Sequence, residues 1–419
     1  MPSTISLVRA ATLACALAAL SGCNTDGHGK YTQEHINVAK EKMAMLKSGT
    51  EWQMGQQQFL AGDFNKALKS VERSLTLNPN VPKSHVLRGR ILMELGRLEE
   101  ARQEFATAEE LDPNNVDAQY YAGIVHERVG QPDLAIARYR RAIELDSGNA
   151  QYVIAAAEML VNQGKLDEAE TLLTERKEFL QYNAAVRQTL GHIALLHKDA
   201  PKAAQLFSEA MLLAPGDPQI LEDLVHAQMA SSQWAEAEVN ITRLLDMEAN
   251  KDRRDLKQLR ARALVALDRP VEARTLFIEL TTDKEGGRDV RSWIDLGNVA
   301  VLLKDRVNLR LAASRLMAMA PDRADGYVFR ALYCRLDNRP EDAVQAIEGA
   351  CARSKKDATP FIIKAMILQD LNRTGEARDA VAQGVSIDPA NRKAQALLVA
   401  LGGEMPANQA VTSHPEASN

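Results

Sequence analysis

Aromatic residues and cysteines are scarce in this sequence, and neither sign of charge dominates it. Phenylalanine, tyrosine and tryptophan together make up 5% of the 419 residues, and there are four cysteines. Four cysteines are too few to hold a chain of this length together, which excludes a disulfide-stabilised mini-protein. Lysine and arginine number 51 against 56 acidic residues, so no excess of positive charge favours nucleic-acid binding. No internal segment reaches the ~20 consecutive apolar residues of a membrane-spanning helix, which disfavours a channel-type protein.

Alanine and leucine supply most of the apolar residues that are present. Hydrophobic residues make up 46% of the chain and charged residues 26%, a balance typical of a folded protein rather than a disordered one. Because alanine and leucine favour helices and aromatic residues favour strands, the composition predicts a helical protein.

The first 22 residues, MPSTISLVRAATLACALAALSG, have the pattern of an export signal. One basic residue, Arg9, precedes an apolar stretch at residues 10–20, which has the length of a signal-peptide core and is too short to span a bilayer. The stretch runs into the tetrapeptide LSGC at residues 20–23. This tetrapeptide resembles the bacterial lipobox, a small-residue cleavage site placed directly before a cysteine.

The resemblance implies a lipoprotein. Cleavage would make Cys23 the new amino terminus and leave diacylglycerol on its sulfur, so that acyl chains hold the remaining chain at a bilayer surface. The next residue, Asn24, stands where an aspartate is the usual signal for retention in the inner membrane, and it favours the outer membrane, facing the periplasm. The alternatives are an ordinary secretory peptide with a chance cysteine and a cytosolic protein with an apolar start. The lipid anchor is the one contact with a membrane that we expect.

The rest of the chain repeats with a period of 34 residues. Alanine returns at five successive intervals of 34 and again later, at positions 67, 101, 135, 169, 203, 237, 273, 343 and 377. A glycine or other small residue precedes most of these alanines by twelve positions, and a second glycine precedes four of them by five, at positions 62, 96, 130 and 164. A period of this length indicates a repeat array rather than separate globular domains.

This pattern resembles the tetratricopeptide repeat, a helix–turn–helix unit of 34 residues. The clearest unit spans residues 82–115, with Gly89, Ala101 and Phe105 at family positions, and residues 293–297 read WIDLG, which matches the family's W-x-x-L-G. The resemblance implies an all-α fold, a right-handed α-solenoid of about ten units with a C-terminal capping helix. Small residues are expected where the two helices of a unit cross, so that their backbones can approach closely.

Ten units fit the chain in register, with two insertions of two residues. The units are residues 48–81, 82–115, 116–149, 150–183, 184–217, 218–251, 254–287, 290–323, 324–357 and 358–391. The predicted organisation is a signal peptide at 1–22, a tether and lead-in helix at 23–47, units one to six at 48–251, units seven to ten at 252–391, a capping helix at 392–402 and a disordered tail at 403–419. The insertions, at 252–253 and 288–289, predict a bend or a mechanically softer joint near residues 250–290.

The sequence contains no pattern that indicates catalysis. Glycine-rich phosphate loops and the motifs G-x-S-x-G and H-E-x-x-H are absent. Cys334 and Cys351 fall ~15 Å apart along one helical hairpin, too far for a disulfide bond, and we interpret them as buried apolar side chains. His192 and His226 occupy equivalent positions and form, with Glu158, the one candidate set of metal ligands, although polar lining of a groove explains them more simply. We therefore predict no enzyme activity, no cofactor and no metal.

The resemblance places the working surface on the first helix of each unit, which lines the concave side of the array in this family. Position 9 carries mostly polar residues in the early and middle units and apolar residues in the last two. The candidate groove residues are Arg90, Tyr120, Glu127, Glu158, His192, His226 and Arg262. Their mixed charges suit an extended peptide that bears both signs, and the lysine and asparagine set of the family's carboxylate clamp is missing. Reversal of Arg90 and Arg262 to glutamate is expected to weaken partner capture. Reversal of Arg138 and Arg141, predicted on the opposite face, serves as the control.

These observations favour a protein-binding scaffold. We expect a lipid-anchored periplasmic protein that takes part in assembling an envelope machine, such as a pilus, a secretion system or a system for exopolysaccharide export. Its partner is expected to be a protein or peptide and not a nucleic acid. The alternative is a lipoprotein that binds glycans in polysaccharide export. Because sugar-binding sites usually need stacked aromatic rings, the few aromatic residues of the groove favour the first hypothesis.

Overall fold

The computed structural model describes residues 30–175, 180–283 and 285–404, with side chains from residue 34 onward. Within these ranges every regular element is a helix: 21 α-helices and one short 3-10 helix. The all-α prediction is confirmed. The signal peptide, the lipidation residue Cys23, the tether up to residue 29 and the tail from residue 405 lie outside the described residues, so the predictions made for them stay predictions.

The chain divides into two compact blocks, residues 1–193 and 194–419. The first block contains α1 (Lys30–Leu60), α2 (Phe64–Leu77), α3 (Pro82–Glu94), α4 (Leu98–Leu111), α5 (Val116–Arg128), α6 (Pro132–Leu145), α7 (Ala150–Asn162), α8 (Leu166–Thr174) and most of α9 (Ala184–Leu196). The second contains α10 (Ala200–Leu213), α11 (Pro218–Ala230), α12 (Trp234–Leu245), α13 (Arg254–Ala266), α14 (Pro270–Thr282), α15 (Val290–Leu302), α16 (Arg306–Met319), α17 (Asp325–Leu336), α18 (Pro340–Arg353), α19 (Thr359–Asp370), α20 (Thr374–Ile387) and α21 (Arg392–Ala400). Consecutive helices pack on one another from α1 to α8 and from α10 to α21.

The helix pairs follow the 34-residue register, with one pair in each of the ten repeats. The lead-in segment is not a separate helix, because α1 runs for 31 residues and also forms the first helix of the first repeat. The two insertions fall in connections, one before α13 and one in the segment that holds the 3-10 helix Gly286–Arg288 before α15. The capping segment forms α21, which ends at Ala400.

The joint near residues 250–290 lies within the second block, and its softness stays a prediction. We expect backbone amides in α13 and α14 to exchange with solvent faster than those in α4 and α5. The reason is that irregular connections flank this helix pair on both sides, which leaves it fewer neighbouring turns to hold it closed. Hydrogen–deuterium exchange read by mass spectrometry measures the difference. Equal protection across the four helices would contradict the prediction.

The first helix of every repeat ends in the same turn, which needs one residue with a left-handed backbone. In the first four repeats this residue is glycine, with φ from 72° to 79°, at Gly62, Gly96, Gly130 and Gly164. In the other six it has a side chain, with φ from 52° to 64°, at Lys198, Ser232, Asp268, Lys304, Asn338 and Asn372. The amide that follows donates back across the turn, as from Arg97 to the Leu92 carbonyl at 2.8 Å and from Arg373 to the Leu368 carbonyl at 2.8 Å. These bonds satisfy carbonyls that the helix end leaves without partners.

Glycine at a left-handed position of the second block is expected to stabilise the protein. Ser232→Gly removes a side chain from a backbone conformation that costs an ordinary residue ~1 kcal/mol, and we expect a gain of about that size. Gly130→Ala, at the equivalent position of the first block, should lose a similar amount. Urea unfolding followed by circular dichroism measures both changes. A loss of stability in Ser232→Gly would show that the turn carries no such strain.

The early small residue of a repeat makes room for an aromatic ring. A Cβ atom on Gly89 would lie 2.6 Å from the ring of Phe105, and one on Gly123 would lie 2.5 Å from the ring of Tyr139. The predicted close approach of backbones fits Gly55 better, since its nearest neighbours are backbone atoms at 3.4 Å. The ring comes from the second helix of the same repeat, so the glycine and the aromatic residue act as one packing pair.

His85 joins the turn before α3 to α4 through both of its ring nitrogens. Nε2 lies 2.7 Å from the carbonyl oxygen of Pro79, and Nδ1 lies 2.8 Å from a carboxylate oxygen of Glu104. Because both partners are acceptors, only the protonated ring can donate to both of them, so the two contacts favour the cation. The hydrogen bond with Glu104 is the main reason that the pKa of His85 is raised. Arg88 also donates to Glu104, at 2.7 Å.

The contribution of His85 to stability is expected to depend on pH. The pKa of His85 in the folded protein lies above its unfolded value of ~6.5. Its contribution to the free energy of unfolding is therefore complete below pH ~6.5 and is lost as the pH rises through the folded pKa. We expect wild type to lose about 1–3 kcal/mol across this window, the strength of a hydrogen bond to a charged group. His85→Gln should show no such loss. Urea unfolding on either side of the window tests this, and identical pH dependence in the two proteins would contradict it.

Candidate peptide-binding groove

A groove lies on the first block between α5, α7 and the beginning of α9. It encloses about 390 Å³ and is lined by Tyr120, Ala150, Gln151, Ile154, Ala155, Glu158, Asn183 and Ala185. Three alanines and an isoleucine give it an apolar floor. The polar groups are one carboxylate, two carboxamides and a tyrosine hydroxyl. Such a surface fits the backbone and side chains of an extended peptide.

Tyr120 forms a fixed wall of this groove. It is 9% exposed, and its hydroxyl accepts a hydrogen bond from Nε2 of Gln151 at 2.7 Å. Its ring packs against Tyr152 and Tyr139, with centroids 4.9 and 5.7 Å away. Burial raises the pKa of Tyr120, and the bond from Gln151 opposes that rise. The residue therefore remains neutral and shapes the groove rather than reacting in it.

Two carboxylates, Glu127 and Glu158, act on each other at one end of the groove. The pKa of Glu158 is raised, first because the groove removes part of its water and second because Glu127 is near. Glu127 accepts a hydrogen bond from the buried hydroxyl of Tyr139 at 2.7 Å. Both carboxylate side chains are exposed, and no lysine or arginine among the described residues forms an ion pair with either. The pair therefore leaves negative charge facing the groove.

His192, on α9, is the third polar group near these carboxylates. Its side chain is exposed, and its positive charge would lower the pKa of Glu158. The structure thus brings four of the predicted residues together in the first block: Tyr120, Glu127, Glu158 and His192.

Arg90, on α3, is held between two aromatic rings. Its guanidinium carbon lies 4.8 Å from the ring centroid of Phe59 and 4.6 Å from that of Tyr121. Cation–π contacts of this kind orient the guanidinium and leave its N–H edge open. Tyr121 is itself stacked on Phe105, with ring centroids 6.0 Å apart. Among the described residues no carboxylate pairs with Arg90, so its donors are available to an acceptor on a partner.

The other two predicted groove residues, His226 and Arg262, belong to the second block and do not line this groove. Nη2 of Arg262 lies 2.6 Å from Oδ2 of Asp295, and Gln258 donates to the same oxygen at 2.9 Å. His226 is exposed on α11 near Glu222, whose pKa is lowered mainly by the hydrogen bond from Arg253 and only in smaller part by His226. Because Arg262 is held in an internal ion pair, its reversal would test local packing as much as partner binding.

The two arginines chosen as controls form ion pairs of different kinds. Arg138 pairs with Glu109 of the previous repeat at 2.7 Å, so its reversal would disturb packing between repeats. Arg141 pairs with Glu144 within α6 at 2.9 Å, and both of these side chains are exposed. Arg141 is therefore the cleaner control position.

In the part of the chain that the structure describes, no group of three or more histidine, cysteine, aspartate or glutamate side chains is arranged to hold a metal ion. Among the same residues, no helix combines the length and apolar character needed to cross a bilayer. Cys334 and Cys351 are free thiols, and burial raises the pKa of both, to about 11 for Cys351. Cys334 is fully buried, as predicted, whereas Cys351 is only partly buried.

Sequence reasoning missed several groups that shape the groove. Gln151 and Ile154 lie on α7, the first helix of the fourth repeat, which the resemblance places on the concave side, so the register could have identified them. Tyr121 follows Tyr120 directly, and its contact with Arg90 depends on side-chain packing that no spacing reveals.

The helix pairs and their shared turn define a helical repeat protein. Profiles described as TPR repeat and tetratricopeptide repeat match residues 89–130, 128–193 and 259–277. The chain therefore contains tetratricopeptide repeats in both blocks.

Two curated proteins show what this chain is similar to. It is 27% identical over 141 residues to the type IV pilus assembly protein PilF of Pseudomonas aeruginosa, covering 32% of this chain and 56% of PilF. It is also 27% identical over 169 residues to DnaJ homolog subfamily C member 7 of Homo sapiens, covering 37% of this chain and 34% of that protein. The chain thus spans about half of the first relative and a third of the second.

A solved structure is similar to part of this chain. The crystal structure of PilW, described as a widely conserved type IV pilus biogenesis factor, matches with 16% identity and a TM-score of 0.43. The match covers 48% of this chain and 93% of PilW.

Proposed function

We propose that this protein is a lipid-anchored scaffold of the bacterial cell envelope that holds a partner protein in the groove of its first block. The observation that carries the proposal is the groove itself, which combines an apolar floor with the carboxylate of Glu158, while Glu127 nearby adds a second negative charge. Repeat arrays of this family present concave surfaces for binding, and a groove with an apolar floor and a charged end suits that use.

The envelope machine that we propose is the type IV pilus. The similarity to PilF supports this choice, because the name of that protein assigns it to type IV pilus assembly. The tetrapeptide at residues 20–23 supports the lipid anchor, and Asn24 favours the outer membrane over the inner membrane, with the repeats facing the periplasm.

Binding fits the groove better than catalysis does. The side chains that line it supply charge, carboxamides and apolar area, and they include no serine, cysteine or threonine beside a base that could form a covalent intermediate. A glycan ligand is also less favoured. Tyr120 is nearly buried, and Tyr121 is packed against Arg90 and Phe105, so these rings serve internal packing rather than sugar stacking.

In vivo photo-crosslinking tests the proposal. A photoreactive amino acid replaces Ala185, an exposed residue of the groove, and in a second strain it replaces Arg141 on α6. We expect crosslinks from position 185 to one envelope protein, a component of pilus assembly, and few from position 141. Equal capture from both positions, or no protein captured from position 185, would count against the groove as the binding surface.

A further inference from the structure

We infer that the groove, together with Arg90 on the neighbouring helix α3, selects an extended segment of the partner by the order of its charges, with a basic side chain against Glu158 and Glu127 and an acidic group against Arg90. This inference rests on the proposed function and specifies the chemistry of the partner.

The end of the groove that α5 and α7 form suits a basic side chain of the partner. Glu158 lies beside the apolar floor that includes Ile154 and Ala155, and Glu127 adds a second negative charge. A lysine or arginine can lay its aliphatic stem along such a floor and bring its charged head to the carboxylates. Charge of the opposite sign also relieves the repulsion between the two glutamates.

Arg90 is suited to bind an acidic group of the partner. Phe59 and Tyr121 hold its guanidinium between their rings, and the described residues supply no carboxylate to it. A guanidinium fixed in this way binds a carboxylate through two parallel N–H···O bonds with little further loss of freedom. The charged side chains therefore follow a fixed order along the repeats, with the cation on α3 and the anions on α5 and α7.

The spacing between the two charges of the partner follows from the repeat geometry. Arg90 and Glu158 are on the first helices of repeats two and four, and α5 contacts both of these helices. Packed helices lie about 8–10 Å apart, so two steps cover ~20 Å, which an extended chain spans with about six residues. The acidic and basic groups of the partner are thus expected about six residues apart, in one direction along the chain.

Selection from a random linear peptide library displayed on phage tests the inference on the full chain. We expect wild type to enrich peptides with one acidic and one basic residue in a fixed order at this spacing. Glu158→Lys should replace the enriched basic residue by an acidic one, and Arg90→Glu should replace the enriched acidic residue by a basic one. Arg141→Glu is the control and should enrich the same peptides as wild type.

A selected peptide, synthesised with a fluorescent label, gives the size of the effect by anisotropy. Glu158→Lys should weaken its binding by about tenfold, and added salt should narrow the difference. Circular dichroism verifies that each variant is folded. Glu158→Gln keeps the size of the side chain and removes its charge, so this variant should lose the preference for a basic residue without gaining one for an acidic residue.

Three outcomes would overturn the inference: enrichment without any charge pattern, the same pattern in wild type and Glu158→Lys, or no enrichment above that seen with an unrelated protein. Its failure is distinguishable from failure of the proposed function. If a partner is captured from position 185 but the selected peptides show no charge pattern, only the inferred order of charges is rejected. If no partner is captured, the groove is rejected as a binding surface.

Discussion

Replacement of Phe105 by alanine is expected to lower the free energy of unfolding of the first block by about 3–5 kcal/mol, the usual cost of removing a buried phenylalanine ring. Phe105 is 1% exposed and packs in a core cluster with Ala101 and Ala108. Its ring fills the space above Gly89 and also stacks on Tyr121, so its loss leaves a cavity in the repeat. Urea unfolding followed by circular dichroism measures the change.

A double-mutant cycle with Gly89 separates ring packing from other effects. Gly89→Ala alone should cost about 1–3 kcal/mol, because the new methyl group would overlap the ring of Phe105. In the Phe105→Ala background the same change should cost much less, because the ring is gone and the two sites are coupled. An equal cost in both backgrounds would mean that Gly89 is needed for helix crossing and not for the ring.

The second large effect is expected at Cys23. Cys23→Ser should move the protein from the membrane fraction to the soluble fraction, because the acyl chains on that cysteine are the membrane contact that the sequence predicts. Fractionation and metabolic labelling with a palmitate analogue measure location and lipid together.

Cys15→Ser is the matched control for the anchor. Cys15 lies inside the predicted signal peptide, so its replacement should change neither the label nor the location. Wild-type protein that takes up no label and fractionates as soluble would reject the lipoprotein prediction. An unlabelled Cys23→Ser protein that stays with the membrane would show a second anchor.

Much of the fold was predictable because a repeat encodes its geometry again and again. The alanine period gave the helix pairs, and the glycines at 62, 96, 130 and 164 marked the turn between them. The same turn in the last six repeats was not readable from residue type. Lysine, serine and aspartate tolerate the left-handed backbone there because hydrogen bonds across the turn hold it, and no single residue type signals that arrangement.

The sequence predicted which residues lie on the first helices of the repeats, but not the contacts that depend on a second side chain. Register placed Glu158 and Tyr120 on the first helices of neighbouring repeats, and both side chains line one groove. It could not show that Arg262 is paired with Asp295, since that partner lies one repeat later and either side chain has other rotamers open to it. It also could not show that Tyr139, on the second helix of its repeat, reaches Glu127 on the first, because that bond depends on how deeply the ring packs.

The left-handed turns have a consequence for how the protein tolerates damage. All four glycine turns lie in the first block, and all six turns with a side chain lie in the second. The free energy of local opening is therefore lowest in the second block, because opening relieves the backbone strain of each turn that carries a side chain. A protease or a mechanical load that reaches the folded array should act first on the second block, and the partner-holding part of the scaffold should outlast the rest.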